Sequence, residues 1–198
     1  VSTALMQLHA GEIAHQDLKP SNVLVFEGTV SKVGDVGRAS MKGETGPHDA
    51  LVIAGDRSYA PPEQLYGFVA PTWDLRRQAC DLYHLGSMVF FFFSGCTATA
   101  ATFMDLQEDY NPGRWGGEFE EVLPYLRESF EGALSYLAES LPERISDELV
   151  LLARYLCEPD PKLRGHPRNR EGVGSRCSVE RFVSAFDLLA KREELGIR

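Results

Sequence analysis

Between His15 and Asn22 the sequence reads His15-Gln16-Asp17-Leu18-Lys19-Pro20-Ser21-Asn22, and it runs directly into the apolar stretch Val23-Leu24-Val25-Phe26. A carboxylate, a cation and an amide thus share one proline-braced loop. This set suits phosphoryl transfer, which needs a carboxylate for the proton of the nucleophile, a cation for the phosphate and oxygen ligands for Mg²⁺. The loop needs partners from elsewhere in the chain.

The nearest partner comes from a predicted hairpin. Pro20 argues against helix at that point, and Val23 to Phe26 has the β-branched, apolar character of a short strand. Glu27-Gly28 signals a turn, and Val30 to Val33 returns as the second strand. Asn22 before one strand and Asp35 after the other then emerge at the same open end, close enough to share a cation. Taken alone, Gly34-Asp35-Val36-Gly37 is a turn sequence, and only the hairpin geometry gives Asp35 a chemical role.

Other elements frame this pair. Val1 to Ala10 has helical spacing at Val1, Leu5 and Leu8, with Gly11 as a left-handed stop. No N-cap precedes the pattern, so the sequence is expected to begin inside a helix, as a fragment would. Arg38 to Asp56 is polar and Gly-rich, a long loop of the kind that is usually functional. It ends at Gly55-Asp56-Arg57-Ser58-Tyr59-Ala60-Pro61-Pro62-Glu63, where two prolines stiffen the chain before a short segment to Tyr66. Asp81 is expected to open the next helix as an N-cap or first-turn acid. Leu82, Leu85, Met88, Val89 and Phe92 follow at helical spacing, and Phe90, Phe91 and Phe93 suggest burial on every side.

Further helices are predicted over Phe119 to Leu126, Phe130 to Leu141 and Ser146 to Cys157, after a break at Pro112 to Gly117. Lys162, Arg164, His166, Arg168, Arg170 and Arg176 make a charged stretch that reads as a solvated loop. Ser178 caps a closing helix with an apolar stripe of Val179, Phe182, Phe186 and Leu189.

Composition narrows the function classes. The 198 residues are 43% hydrophobic and 25% charged, enough for one folded domain with a sizeable core. A formal charge of −9 disfavours nucleic acid as a partner of the whole surface. Cys80, Cys96, Cys157 and Cys177 form no C-x-x-C pair, which argues against zinc and disulfides and for reduced thiols in the cytoplasm. The apolar run Leu85 to Phe93 is shorter than the roughly 20 residues of a spanning helix, so no membrane segment is expected.

Taken in order, these motifs resemble the C-terminal lobe of eukaryotic-like, bacterial-type Ser/Thr protein kinases across nearly the whole chain. His15 to Asn22 is similar to the catalytic loop, Asp35-Val36-Gly37 to the Mg-binding D-F-G, and Pro61-Pro62-Glu63 to A-P-E. Asp81 with Leu85-Gly86 resembles the start of the buried F helix. Asp160-Pro161 with Arg164 resembles the segment whose arginine pairs with the A-P-E glutamate. The fold implied is mainly α with a small β-hairpin, one kinase C-terminal lobe over residues 1–198, or an α+β two-lobe fold with an N-terminal lobe included. The activity implied is transfer of the ATP γ-phosphoryl group to Ser or Thr hydroxyls of a protein substrate. Lys19, two residues after Asp17, favours Ser/Thr over Tyr.

By this resemblance Asp17 takes or orients the hydroxyl proton, Lys19 neutralises the moving phosphoryl group, and Asn22 and Asp35 hold Mg²⁺ on ATP, with Lys19, Asn22 and Asp35 forming the nucleotide-binding set. His15, Gly37, Glu63, Asp81 and Arg164 are structural supports, Glu63 and Arg164 as a buried ion pair. The chain departs from the pattern in three ways. Gln16 replaces the arginine that reads an activation-loop phosphate, which weighs against control through Ser40, Thr45 or Ser58. Asp56 replaces a threonine that contacts the catalytic aspartate and lysine, and a second carboxylate there is expected to raise a pKa unless Lys19 offsets it. A Gly-rich phosphate loop and a V-A-I-K-like strand do not occur, so weak ATP binding and no useful turnover are expected of these residues without an N-terminal kinase lobe. A docking scaffold without turnover and a small-molecule phosphotransferase are the alternatives. Retention of Asp17, Lys19, Asn22 and Asp35 weighs against the first, and Lys19, Pro61-Pro62-Glu63 and Arg164 weigh against the second.

Overall fold

The apolar spacing at the start of the chain forms helix α1 (Ser2–Ala10), the first element of a computed structural model that describes residues 1–26, 30–172 and 174–196. Leu5 is its buried residue. The helix stops at Gly11, but Gly11 keeps φ −86° and the left-handed residue is Glu12, at φ 55°. A two-residue strand β1 (Ile13–Ala14) follows. It pairs with β4 (Ser40–Met41), a contact too short to leave an alternating pattern in the sequence.

Strands β2 (Val23–Phe26) and β3 (Val30–Val33) form the expected antiparallel hairpin, in the register Val23↔Val33 to Phe26↔Val30. The Glu27-Gly28 turn lies outside the described residues. Pro20 does not bar helical backbone as expected. It occupies the first position of a 3-10 turn, Pro20–Asn22, where its missing N–H would have had no partner in any case.

After the long segment from Arg38, Pro61 and Pro62 lead into α2 (Pro62–Leu65). The central helix α3 (Ala79–Ser94) is preceded by a π turn at Asp74–Gln78, and Asp81 is a first-turn acid of α3, one of the two roles expected of it, and not the N-cap. Leu82, Leu85, Met88, Val89 and Phe90 are buried together with Phe130, Leu134, Leu137, Leu152 and Leu156 from later helices. The far end is not buried on every side. Phe91, Phe92 and Phe93 are exposed, Phe92 at 64%. Their aromatic run continues past the neighbours that cover the helix middle.

Helix α4 (Ala98–Met104) starts at Thr97, whose hydroxyl accepts the Ala100 N–H at 3.1 Å. The two helices expected between Phe119 and Leu141 are one, α5 (Phe119–Ser140), opened by a capping box of Glu118 and Glu121. Its buried stripe runs without a break from Val122 and Leu126 to Phe130, Ala133 and Leu137, and that continuity outweighs Pro124 in the second turn. Helix α6 (Glu143–Leu156) begins earlier than its apolar residues suggest, and α7 (Glu180–Leu195) closes the chain with Phe182 and Leu189 buried. The Ser178 hydroxyl accepts the Glu180 N–H at 3.4 Å.

Gly86 allows α3 and α6 to touch. A Cβ there would stand 2.7 Å from Leu156 Cβ, so any side chain would push the helices apart. Among the described residues no single helix is long and apolar enough to cross a membrane. The four cysteines are free thiols, and burial pushes Cys177 up to about 12.

Candidate active site

The loop from His15 to Asn22 is hung from α3. Asp81 is fully buried, and its two carboxylate oxygens accept the backbone N–H groups of His15 and Gln16, each at 2.7 Å. His9 on α1 adds a contact of 2.9 Å from Nε2. Burial by itself would raise the Asp81 carboxyl. The hydrogen bond and charge of His9, the nearby His84 and the Gln16 amide outweigh it and hold the group below the usual carboxylate range. Asp81 therefore anchors the loop in addition to belonging to a helix, and it does so from 65 residues away along the chain.

His15 makes the next link. Its Nδ1 accepts the Asp17 N–H at 3.3 Å, which leaves the proton on Nε2, and Nε2 donates to Gly34 O at 2.9 Å. One buried imidazole thus ties the loop of Asp17 to the loop of Asp35.

Asp17 is held from three sides. Its Oδ1 accepts the Asp56 N–H at 2.8 Å, and its Oδ2 lies 3.2 Å from Lys19 Nζ and 3.2 Å from Asn22 Nδ2. Asn22 Nδ2 also donates to Asp17 O at 2.7 Å, so both amide hydrogens are used and the amide oxygen is left for another partner. Lys19 Nζ is shared, since Asp56 Oδ2 also lies at 3.2 Å.

The second carboxylate is itself held ionised. Hydrogen bonds from the Ser58 hydroxyl and N–H, at 2.6 and 2.9 Å, and then Lys19, outweigh burial and hold Asp56 below its ordinary value. Burial lowers Lys19, but its bonds to Asp17 and Asp56 more than offset this and raise it. Asp56 divides its contacts, backbone N–H to Asp17 and carboxylate to Lys19.

Gly55 makes this approach possible. A Cβ at Gly55 would run into the Gln16 carbonyl and stand 2.8 Å from Asp17 Oδ1. The sequence reading did not single out Gly55, because a glycine before an aspartate reads as an ordinary turn.

Asp35 follows the hairpin in a left-handed conformation, φ 55° and ψ 65°, and is exposed. Gly37 lies beneath its carboxylate, where a Cβ would sit 3.3 Å from Oδ1. The Gly34 N–H donates to Asn22 O at 2.8 Å, which brings the two loops together at the open end of the hairpin. The exposed Asp35 carboxylate and the Asn22 amide oxygen are hard oxygen donors of the type Mg²⁺ takes. Among the described residues no cluster of three or more His, Cys, Asp or Glu side chains offers an all-protein metal cage.

Glu63 and Arg164 stand behind the site. Arg164 Nη1 and Nη2 donate to Glu63 Oε1 and Oε2, both at 2.7 Å, and Arg164 also reaches the carbonyls of Ala79, Glu158 and Pro159. Tyr83 stacks under the guanidinium at 5.0 Å. Within the charged stretch 162–176, Arg164 is thus internal, while Lys162 and Arg170 are exposed. Two further contributors were not foreseen. His9 is one, and the other is Arg77, a buried cation on the π turn that meets Gln16. Neither carries a local signal, because their partners are more than 60 residues distant.

Comparison with known proteins gives the family of the chain. The family described as protein kinase domain matches residues 1–169. The serine/threonine-protein kinase AfsK of Streptomyces coelicolor is 32% identical over 193 residues, covering 94% of this chain and 22% of its own length. Cyclin-dependent kinase 20 of Homo sapiens is 30% identical over 198 residues, covering 96% of this chain and 53% of its own length. U-box domain-containing protein 52 of Arabidopsis thaliana is 32% identical over 182 residues, covering 87% and 19%. The chain therefore spans between about a fifth and a half of the length of these curated relatives.

Proposed function

The chain belongs to the protein kinase domain family, and on that premise we propose that it carries the catalytic and metal-binding half of a serine/threonine protein kinase. The reaction is transfer of the ATP γ-phosphoryl group to Ser or Thr hydroxyls of a protein. The observation that carries this reading is the network in which Asp17 is oriented by the Asp56 N–H, Lys19 and Asn22.

In this reading Asp17 is the base that orients and receives the proton of the substrate hydroxyl. Lys19 is cationic throughout the neutral range, because its two carboxylate partners raise it, and it faces the charge that develops on the transferring group. Asn22 and Asp35 hold Mg²⁺, which supplies charge neutralisation of the nucleotide phosphates when bound. His15 and Asp81 fix these groups relative to one another, and Glu63 with Arg164 stiffens the side that receives the protein substrate.

The residues 1–198 act in this reading as a kinase C-terminal lobe. A second, N-terminal kinase lobe covers the nucleotide, and the exposed apolar side chains Leu24, Val25, Phe26 and Val30 on the hairpin support a neighbour on that side. Four free cysteines are compatible with work in the reducing cytoplasm.

The test is phosphate transfer from ATP to a generic Ser/Thr protein substrate by the full-length protein. Asp17→Ala and Asp35→Ala are expected to abolish turnover while leaving the folded helices intact by circular dichroism. Full activity in either variant would remove the assignment.

A further inference from the structure

Gln16 precedes Asp17 and has φ 65°, a conformation that side-chain-bearing residues rarely adopt. Its backbone N–H is held by Asp81, and its carboxamide is used at both ends. Nε2 donates to Arg38 O at 2.9 Å, and Oε1 accepts from Arg77 Nη1 at 2.5 Å. Arg77 is 4% exposed; its Nη2 donates to Asp49 O at 2.6 Å and lies 4.0 Å from Asp49 Oδ1, and its Nη1 reaches Leu51 O at 3.5 Å. Asp49 is fixed in turn, since its Oδ2 accepts the Gly46 N–H at 2.5 Å. One neutral side chain next to Asp17 is therefore bonded to the beginning of segment 38–51 directly and to its end through Arg77.

The order of donors and acceptors limits what can stand at position 16. Glutamine offers one of each. Arginine offers donors only and would face the Arg77 guanidinium, while glutamate would have no donor for the Arg38 carbonyl. Of the hydroxyl residues Ser40, Thr45 and Ser58, Thr45 is exposed within the segment, while Ser40 within it and Ser58 beyond it are engaged. Ser40 Oγ is buried and accepts from Trp73 Nε1 at 3.1 Å, and Ser58 Oγ donates to Asp56.

We infer that Gln16 and Arg77 form an internal clamp that sets segment 38–51 against Asp17, with Asp49 as the built-in anion, so that the segment reaches its working position without an added phosphate. Both are positioning residues, since neither faces the substrate or the nucleotide groups. Only the kinetic arm of the test rests on the phosphotransfer reading.

The experiment uses the full-length protein as wild type, Arg77→Gln and Gln16→Glu. Hydrogen exchange by mass spectrometry follows segment 38–52, and kcat and KM for ATP are measured before and after phosphatase treatment. Arg77→Gln is expected to speed exchange at 49–52 by about tenfold or more while α3 and α6 stay protected. It lowers kcat by about tenfold with KM for ATP within about twofold. Gln16→Glu, which keeps the acceptor for Arg77, loosens the stretch around Arg38 alone, and it serves if Arg77→Gln does not fold. Phosphatase treatment leaves wild-type kcat unchanged. Unchanged exchange across 38–52, a uniform rise across all helices, or loss of wild-type activity after dephosphorylation overturns the clamp. Local loosening in a protein without any kinase activity overturns the phosphotransfer reading and leaves the clamp standing.

Discussion

Arg164 and Glu63, 101 positions apart in the chain, meet through two parallel hydrogen bonds of 2.7 Å with both side chains essentially buried. Burial alone would lower the Arg164 guanidinium, and the charge and hydrogen bonds of Glu63 reverse this and raise it. Each partner would be a stranded buried charge without the other. Glu63→Ala is expected to destabilise the protein by roughly 3–5 kcal/mol, measured by urea unfolding. The double replacement Glu63→Met with Arg164→Leu should cost clearly less, because no charge is left unpaired.

Asp81 serves two backbone N–H groups with two oxygens. Asp81→Asn keeps the shape but only one acceptor, so one buried N–H loses its partner at a cost of about 1–3 kcal/mol. Faster amide exchange at His15 or Gln16, with the rest of α3 protected, is the expected signature. Equal protection in both proteins would show that Asp81 is not the anchor.

Gly55→Ala places a methyl group against the Gln16 carbonyl and Asp17 Oδ1. Because backbone and a catalytic-loop side chain must both move, turnover should fall on the order of 100-fold. Thermal melting should shift far less, since the position lies outside the main core. A variant with unchanged kcat would mean that Asp17 tolerates displacement.

His84 is buried on α3 with Nδ1 unpartnered, and burial holds it neutral, lowering it to about 4. The unfolded chain takes up this proton near pH 6.5 and the folded protein only near 4, so stability decreases as pH falls through that window. The contribution is roughly 3 kcal/mol in all. Urea unfolding at pH 7, 5.5 and 4 should show the slope, and His84→Leu should flatten it.

Much of this molecule is legible locally. The hairpin of Val23 to Phe26 and Val30 to Val33, the helices around Leu5, Leu85 and Phe182, and the run from His15 to Asn22 all follow from spacing, turn residues and chemistry within a few positions. Errors occurred where neighbouring signals competed. Pro20 argued against helical backbone that its favourable first-turn position allows, the two helices expected between Phe119 and Leu141 merge along one continuous buried stripe, and three exposed phenylalanines looked internal because apolar runs do not reveal which neighbours cover them.

What the sequence by itself determined is which groups are present and in which short loops: Asp17, Lys19 and Asn22 in one, Asp35 in the next. Tertiary structure alone decided how they are held. Asp81 holds two backbone N–H groups of the loop with His9 behind it, the Asp56 N–H meets the Asp17 carboxylate past Gly55, and Arg77 meets the Gln16 carboxamide, across separations of 39 to 72 residues. Such contacts leave no local pattern, since a backbone N–H or carbonyl is the same at every position, and only the path of the chain brings a particular carboxylate or guanidinium to it.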